Sequence, residues 1–157
     1  MRERLGSALL AVVATRASVA IAAASDLVVG TWQLNTSKST FTAGAGPKSQ
    51  TRTYSQTGPS ITLVMKTVGA DGNEATTQTT YQLDGKDYPV TGTPDYDSLS
   101  AKQVNARTAT FILKKGGKAV GSTTRTVSQD GKALTAKSNI TTAKGTKSES
   151  VMVFDKQ

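Results

Sequence analysis

The sequence is punctuated by tight-turn signals. Asp71-Gly72, Asp84-Gly85, Asn105-Ala106-Arg107, Gly116-Gly117, Asp130-Gly131 and Lys144-Gly145 recur between stretches that alternate apolar and polar residues. Asp-Gly and Gly-Gly supply the positive φ of a tight hairpin. A period of two turns one face of each stretch toward a core and the other toward water. Ile61, Leu63 and Met65 share one such face, and Ala75, Thr77, Thr79, Tyr81 and Leu83 share another. Ala109, Phe111 and Leu113 repeat the pattern, as do Leu134, Ala136, Ser138 and Ile140. Threonine is the commonest residue after position 25, and its β-branch favours strands over helices. No stretch beyond the N-terminal segment has a convincing helical period, so the fold class is all-β.

The pattern predicts ten strands, near 28–35, 50–57, 60–69, 74–83, 86–91, 98–104, 108–115, 118–128, 132–142 and 146–156. Most connections are short enough for hairpins, so sequence neighbours become sheet neighbours in an antiparallel up-and-down meander. Such a sheet has two unpaired edges unless it closes on itself. Closure into a single barrel, apolar inside and Thr/Lys/Ser outside, is the expectation; a two-sheet sandwich has the same alternation. Pro89 cannot donate to a ladder and predicts an edge, bulge or gap in the fifth strand. Residues 36–49, polar and Gly-rich with one aromatic, Phe41, read as a flap or cover loop.

The first residues have another character. Arg2 and Arg4 precede an apolar stretch over residues 5–15, and Ala22-Ala23-Ala24 precedes Ser25-Asp26. A basic head, a short apolar middle and a small-residue exit have the layout of a secretory signal. Residues 1–24 are therefore expected to be a removed leader, and residues 25–157 the barrel domain, in a periplasmic or secreted protein. Arg16 interrupts the apolar stretch and argues against a membrane span. The chain has no Cys and no His, which excludes disulfides, thiol nucleophiles, Cys/His zinc sites and every triad built on imidazole. An exported domain of this size without disulfides stands on its hydrophobic core.

Gly30-Thr31-Trp32 opens the barrel segment, and Phe154-Asp155-Lys156 closes it. A Gly-x-Trp on the first strand, a ten-strand meander and an aromatic-acid-Lys close resemble the calycins, which include the lipocalins and the intracellular fatty-acid-binding proteins. The chain is also similar to exported lipocalin-like proteins of bacteria, in which a segment such as Asp84-Gly85-Lys86-Asp87-Tyr88-Pro89-Val90-Thr91-Gly92 is expected. The resemblance implies an antiparallel barrel with an internal cavity for a small apolar or amphipathic ligand, and it implies that Trp32 closes the barrel floor. Fatty-acid-binding proteins hold the ligand carboxylate with an Arg and a Tyr two residues apart on the last strand. The matching positions here are Met152 and Phe154, and neither holds an anion. The two-helix lid of that family would fall in residues 36–49, which are too few and too Gly-rich to form it.

Trp32, Leu63, Met65, Tyr81, Phe111, Arg125, Met152 and Phe154 are the candidate ligand-binding residues. Met adapts its shape and Tyr offers a hydroxyl, so these side chains suit an apolar pocket with one polar handle; the same residues suit a closed, packed core. Arg125 shares a face with Val127 and would point inward, toward an acidic head group or an aromatic ring. In the competing phase Val120, Ser122, Thr124 and Thr126 face inward and Arg125 lies in water.

Other motifs are weaker. Gly44-Ala45-Gly46-Pro47-Lys48-Ser49 echoes a phosphate loop, but a strand follows where a helix is required. Asp95-Tyr96-Asp97-Ser98 lacks the glycine pivot and distal acid of a calcium site and reads as a polar turn. No catalytic residue, metal or cofactor is expected: the acids sit mainly at hairpin tips, and no inward carboxylate pair is evident. The formal net charge is +8, from 19 Lys+Arg against 11 Asp+Glu. Strand-based nucleic-acid readers add exposed aromatics for stacking; here the aromatics lie in strand interiors, so the charge serves solubility or loose attraction to anionic surfaces. The expectation is a monomeric, non-catalytic binder of a small hydrophobic or amphipathic molecule, with a packed structural or protein-interaction barrel as the alternative.

Overall fold

The computed structural model describes residues 24–157, so the expected leader, apart from Ala24, lies outside the described residues. Eleven strands follow one another: β1 (Gly30–Leu34), β2 (Thr40–Phe41), β3 (Ser49–Thr57), β4 (Ser60–Val68), β5 (Glu74–Tyr81), β6 (Asp84–Thr91), β7 (Ser98–Asn105), β8 (Thr108–Lys115), β9 (Lys118–Val127), β10 (Ala133–Thr141) and β11 (Lys147–Lys156). From β3 to β11 each strand pairs antiparallel with the next, and β1 pairs with both β3 and β11. The result is a closed ten-stranded up-and-down barrel. All ten expected strands are present, and closure excludes the two-sheet sandwich.

Closure rests on a short seam. Trp32 and Leu34 face Lys156 and Phe154 across β11, while Trp32 and Gln33 face Arg52 and Thr51 across β3. The strand beyond these ten, β2, is the continuation of β1. After Leu34 the chain makes one 3-10 turn over Thr36–Lys38, capped by the Asn35 side chain, and β2 then resumes along β11 at Thr40↔Val151 and Phe41↔Ser150. Thr40 and Phe41 are thus part of the wall, and the Thr42 and Lys48 amides tie the loop that follows to the Glu149 and Val68 carbonyls. Gly46 lies flat on the Phe41 ring, where a Cβ would come within 2.2 Å of ring carbon.

The ladder is thinnest where Pro89 sits. β5 and β6 share only the pairs Gln78↔Thr91 and Thr79↔Val90, and the β6–β7 register slips between Asp84 and Asp87. The Thr79 hydroxyl donates to the Pro89 carbonyl at 2.9 Å across this thin junction. A second slip separates Leu113↔Gly121 from Lys114↔Ala119. It inserts Val120, which packs on the core, ahead of the inward row Thr123, Arg125 and Val127. Both phases weighed for this strand are therefore used, one on each side of a bulge.

The barrel has two unlike halves. One end carries the β3–β4, β5–β6, β7–β8 and β9–β10 turns, and near it lie the fully buried Val28, Trp32, Ile61, Tyr81, Val127, Leu134 and Phe154. Trp32 donates its indole N–H to the Val28 carbonyl at 2.7 Å, so the ring is both packed and satisfied. Each such side chain contributes about 1.5–3 kcal/mol by burial. The interior of the other half holds smaller and more polar residues, including Gln50, Thr67, Thr77 and Ser150.

Glycines at turns have separable roles. Gly92 has φ +86, and a Cβ there would come within 1.8 Å of the Thr76 carbonyl oxygen; Gly58 has φ +57 and open space around it. Gly58→Ala is expected to cost about 1–2 kcal/mol, the left-handed penalty alone. Gly92→Ala is expected to cost more, because it also wedges β5 from β6. Urea unfolding of the two variants measures this, and equal losses would contradict the close approach.

Candidate functional site

Inside the open half of the barrel is a cavity of about 370 Å³. Leu63, Met65, Leu99, Phe111, Leu113, Ile140 and Met152 give it apolar walls, and Thr67, Thr77, Thr123, Ser138 and Ser150 add hydroxyls. Tyr54, Tyr81 and Arg125 lie on its deep side, Gln50 and Arg52 on its flank, and residues 92–96 at its mouth. This size and mixture match small-molecule sites, which are mostly apolar with a few placed polar groups. A larger concavity of about 590 Å³ lies at the opposite end, beside Leu27, Pro59 and Leu83. It is a groove on the outside of the packed floor, not an interior space.

None of residues 36–49, where a cover loop was expected, lines the cavity; the loop between β6 and β7 does, through residues 92–96. It is pinned to two other hairpins by carboxylates. Asp95 accepts from the Ala143 amide at 2.9 Å, on the β10–β11 turn. Asp97 accepts from the Gly116 amide at 3.0 Å, on the β8–β9 turn. The acidic turn therefore serves as a tether across the mouth. Tyr96, between the two acids, packs on the core, and burial pushes its phenol above the usual tyrosine range while the Arg52 guanidinium opposes the shift.

Arg125 points inward; its two terminal nitrogens meet partners, and its buried Nε has no acceptor among the described residues. Its Nη1 donates to the Tyr81 hydroxyl at 2.8 Å, and Nη2 faces Asp26 Oδ2 at 3.7 Å. The Tyr54 and Phe111 rings lie at 5.4 and 5.3 Å from its guanidinium carbon. Phe111 in turn meets Tyr81 edge to face, with centroids 5.5 Å apart. Burial works against the charge on Arg125, and the facing Tyr81, Tyr54 and Asp26 oxygens more than offset it, holding the group above its ordinary value. Asp26 is itself fixed, accepting from the Val28 amide at 2.9 Å and donating its own amide to Gln56 at 2.7 Å. The cluster is a neutralised plug at the cavity base.

Arg52 is placed differently. It is 8% exposed, its guanidinium lies 4.4 Å above the Phe154 ring, and its Nε donates to Gln50 Oε1 at 2.8 Å. Gln50 is held from behind through its own donation to Thr67 Oγ1 at 2.9 Å. No carboxylate among the described residues lies within 4 Å of Arg52; the recorded ion pairs belong to Lys38, Lys114 and Arg125.

Of the eight residues expected at the site, Leu63, Met65, Tyr81, Phe111, Arg125 and Met152 come together on the cavity lining. Trp32 and Phe154 are fully buried in the floor beside it. Gln50, Arg52 and Tyr96 were missed. The signal for Arg52 lay in β3, where one phase reads Thr51, Thr53, Ser55 and Thr57, as an outer face does. The other phase, Gln50, Arg52 and Tyr54, was thereby left for the inside.

No family model matches the chain, and no curated protein matches it. Among solved structures the barrel is similar to zebrafish ileal bile acid-binding protein complexed with cholic acid, at 12% identity and a TM-score of 0.50. The match covers 83% of this chain and 99% of that one. The fold is calycin-like. A redesigned β-barrel, mFAP1, bound to DFHBI, matches at 16% identity and a TM-score of 0.42, over 83% of this chain and 95% of the other.

Burial pushes the Tyr81 phenol well above its usual value, against the opposing pull of Arg125. The unfolded chain releases this proton near pH ~10, and the folded chain retains it. The contribution of Tyr81 to stability is therefore complete below pH ~10 and is lost as the pH rises beyond it. Urea unfolding between about pH 9 and pH 11 is expected to show a steeper decline for wild type than for Tyr81→Phe. Tyr81→Phe should also cost about 1–3 kcal/mol at neutral pH, because it leaves Arg125 Nη1 without its acceptor. Parallel pH slopes would contradict the buried, protonated phenol.

Proposed function

We propose that this chain is an exported, non-catalytic binding protein that takes up one small apolar or amphipathic molecule in the open half of its barrel. The observation that carries the reading is the 370 Å³ interior cavity set above a packed floor. Affinity comes from removing apolar surface of the ligand from water, at about 25 cal/mol per Å², with the hydroxyl and guanidinium groups fixing its orientation. The solved bile acid-binding protein of the same fold, complexed with cholic acid, supports the same use of the barrel here. Closure supports a monomer, since the ring leaves little strand edge free for pairing apart from the short β5–β6 junction. The rival reading, a packed barrel working through its outer surface, leaves this space without a role.

The wall residue Met152 offers a test. Met152→Trp places an indole in the cavity. In a hollow interior the ring is accommodated and displaces ligand, so uptake of the neutral fluorophore N-phenyl-1-naphthylamine is expected to fall by at least about tenfold while the barrel stays folded. In a filled interior the same change overpacks the core and costs about 1–3 kcal/mol. Loss of stability with no dye uptake by wild type would overturn the binding reading.

A further inference from the structure

We infer that Arg52 is the receptor for a single carboxylate on the ligand, so that the molecules this barrel selects are monoacids with an apolar body. This assignment rests on ligand binding in the cavity. A guanidinium has five N–H donors in a planar fork. For Arg52 one of them is used by Gln50 and one face is covered by Phe154. The two terminal nitrogens have no acceptor among the described residues, and they are not sealed from solvent, unlike the buried Nε of Arg125. Arg52 is a residue of the wall of the 370 Å³ cavity.

The charge balance points the same way. Arg125 faces Asp26, whereas Arg52 has no ion-pair partner among the described residues. Asp95, the acid on the cavity lining, is turned to the Ala143 amide and makes no ion pair with Arg52. An unpaired, largely desolvated cation is costly, and an entering carboxylate relieves that cost while accepting two parallel hydrogen bonds from the fork. The clamp by Gln50 and Phe154 holds the fork in place before the ligand arrives, so little rotamer freedom remains to be lost. The site differs in position from the last-strand anion pair of fatty-acid-binding proteins, whose matching residues here are Met152 and Phe154. Arg52 lies on β3.

The test compares decanoate with decan-1-ol, which share a tail and differ in charge, by calorimetric titration of wild type, Arg52→Met and Arg52→Lys. Wild type is expected to prefer decanoate by about tenfold to a hundredfold. Arg52→Met should abolish that preference and leave decan-1-ol binding nearly unchanged, whereas Arg52→Lys, which keeps the charge and loses the fork, should retain part of it. A wild-type readout covers the case of a misfolded variant: carboxyl-13C decanoate bound to the native protein should titrate below its free value. Equal binding of the two probes, an undiminished preference in Arg52→Met, or a bound carboxyl that titrates like the free acid overturns the assignment and leaves the binding reading standing. If neither probe binds wild type, the binding reading falls, and the assignment with it.

Discussion

A sheet of ten strands becomes a cylinder only if its first and last strands meet. Here that meeting is made by β1 against β11, with Trp32 opposite Lys156 and Leu34 opposite Phe154. The seam is short, and its strength lies in what stands on it. Trp32 is fully buried and bonded to the Val28 carbonyl, with the Lys156 ammonium 5.2 Å from its ring centre. Phe154 packs from the opposite strand and carries the Arg52 guanidinium. The residues that close the ring thus fill the floor, and the ring they close creates an interior in the other half.

The two inward arginines show how one residue type acquires two roles from its surroundings. Arg125 is enclosed by Asp26, Tyr81, Tyr54 and Phe111, so its charge is spent within the protein. Removing Asp26 or Tyr81 leaves a buried guanidinium nitrogen unmatched, and the cluster therefore serves the fold. Arg52 has an amide on one edge, an aromatic ring on one face, no ion-pair partner among the described residues and a place on the cavity lining. Its charge is directed at whatever enters. The mouth above both is spanned by a loop tied down through Asp95 and Asp97 to two neighbouring hairpins, which leaves the entrance bounded by side-chain-to-backbone hydrogen bonds rather than by a continuous ladder.

Most of the barrel was legible in the sequence, because alternation and turn chemistry are local signals and a meander has only local connections. Ile61, Leu63, Tyr81, Phe111 and Leu134 face inward as their period requires. The orientation of Arg125 was ambiguous for a physical reason: a bulge at Val120 shifts the inward phase along β9, and no periodic pattern reveals an inserted residue. Arg52 escaped notice because a charged residue inside a strand reads as solvent-facing unless both phases are compared. The part played by the β6–β7 loop left no local signal because it depends on carboxylates reaching amides up to 48 residues away. Such contacts leave no period. The expected leader over residues 1–24 belongs to a different kind of signal, composition rather than alternation, and it lies outside the described residues apart from Ala24.

The central claim is a barrel that is solid at one end and hollow at the other. Methyl-resolved NMR of the native protein titrated with cyclohexane tests it most directly, because a small apolar probe enters whatever apolar space exists. Saturable shifts at Met65, Leu113, Ile140 and Met152, with Val28 and Leu134 unmoved, are the predicted result. An unresponsive interior, or shifts that spread through the floor as readily as the cavity wall, would contradict the account.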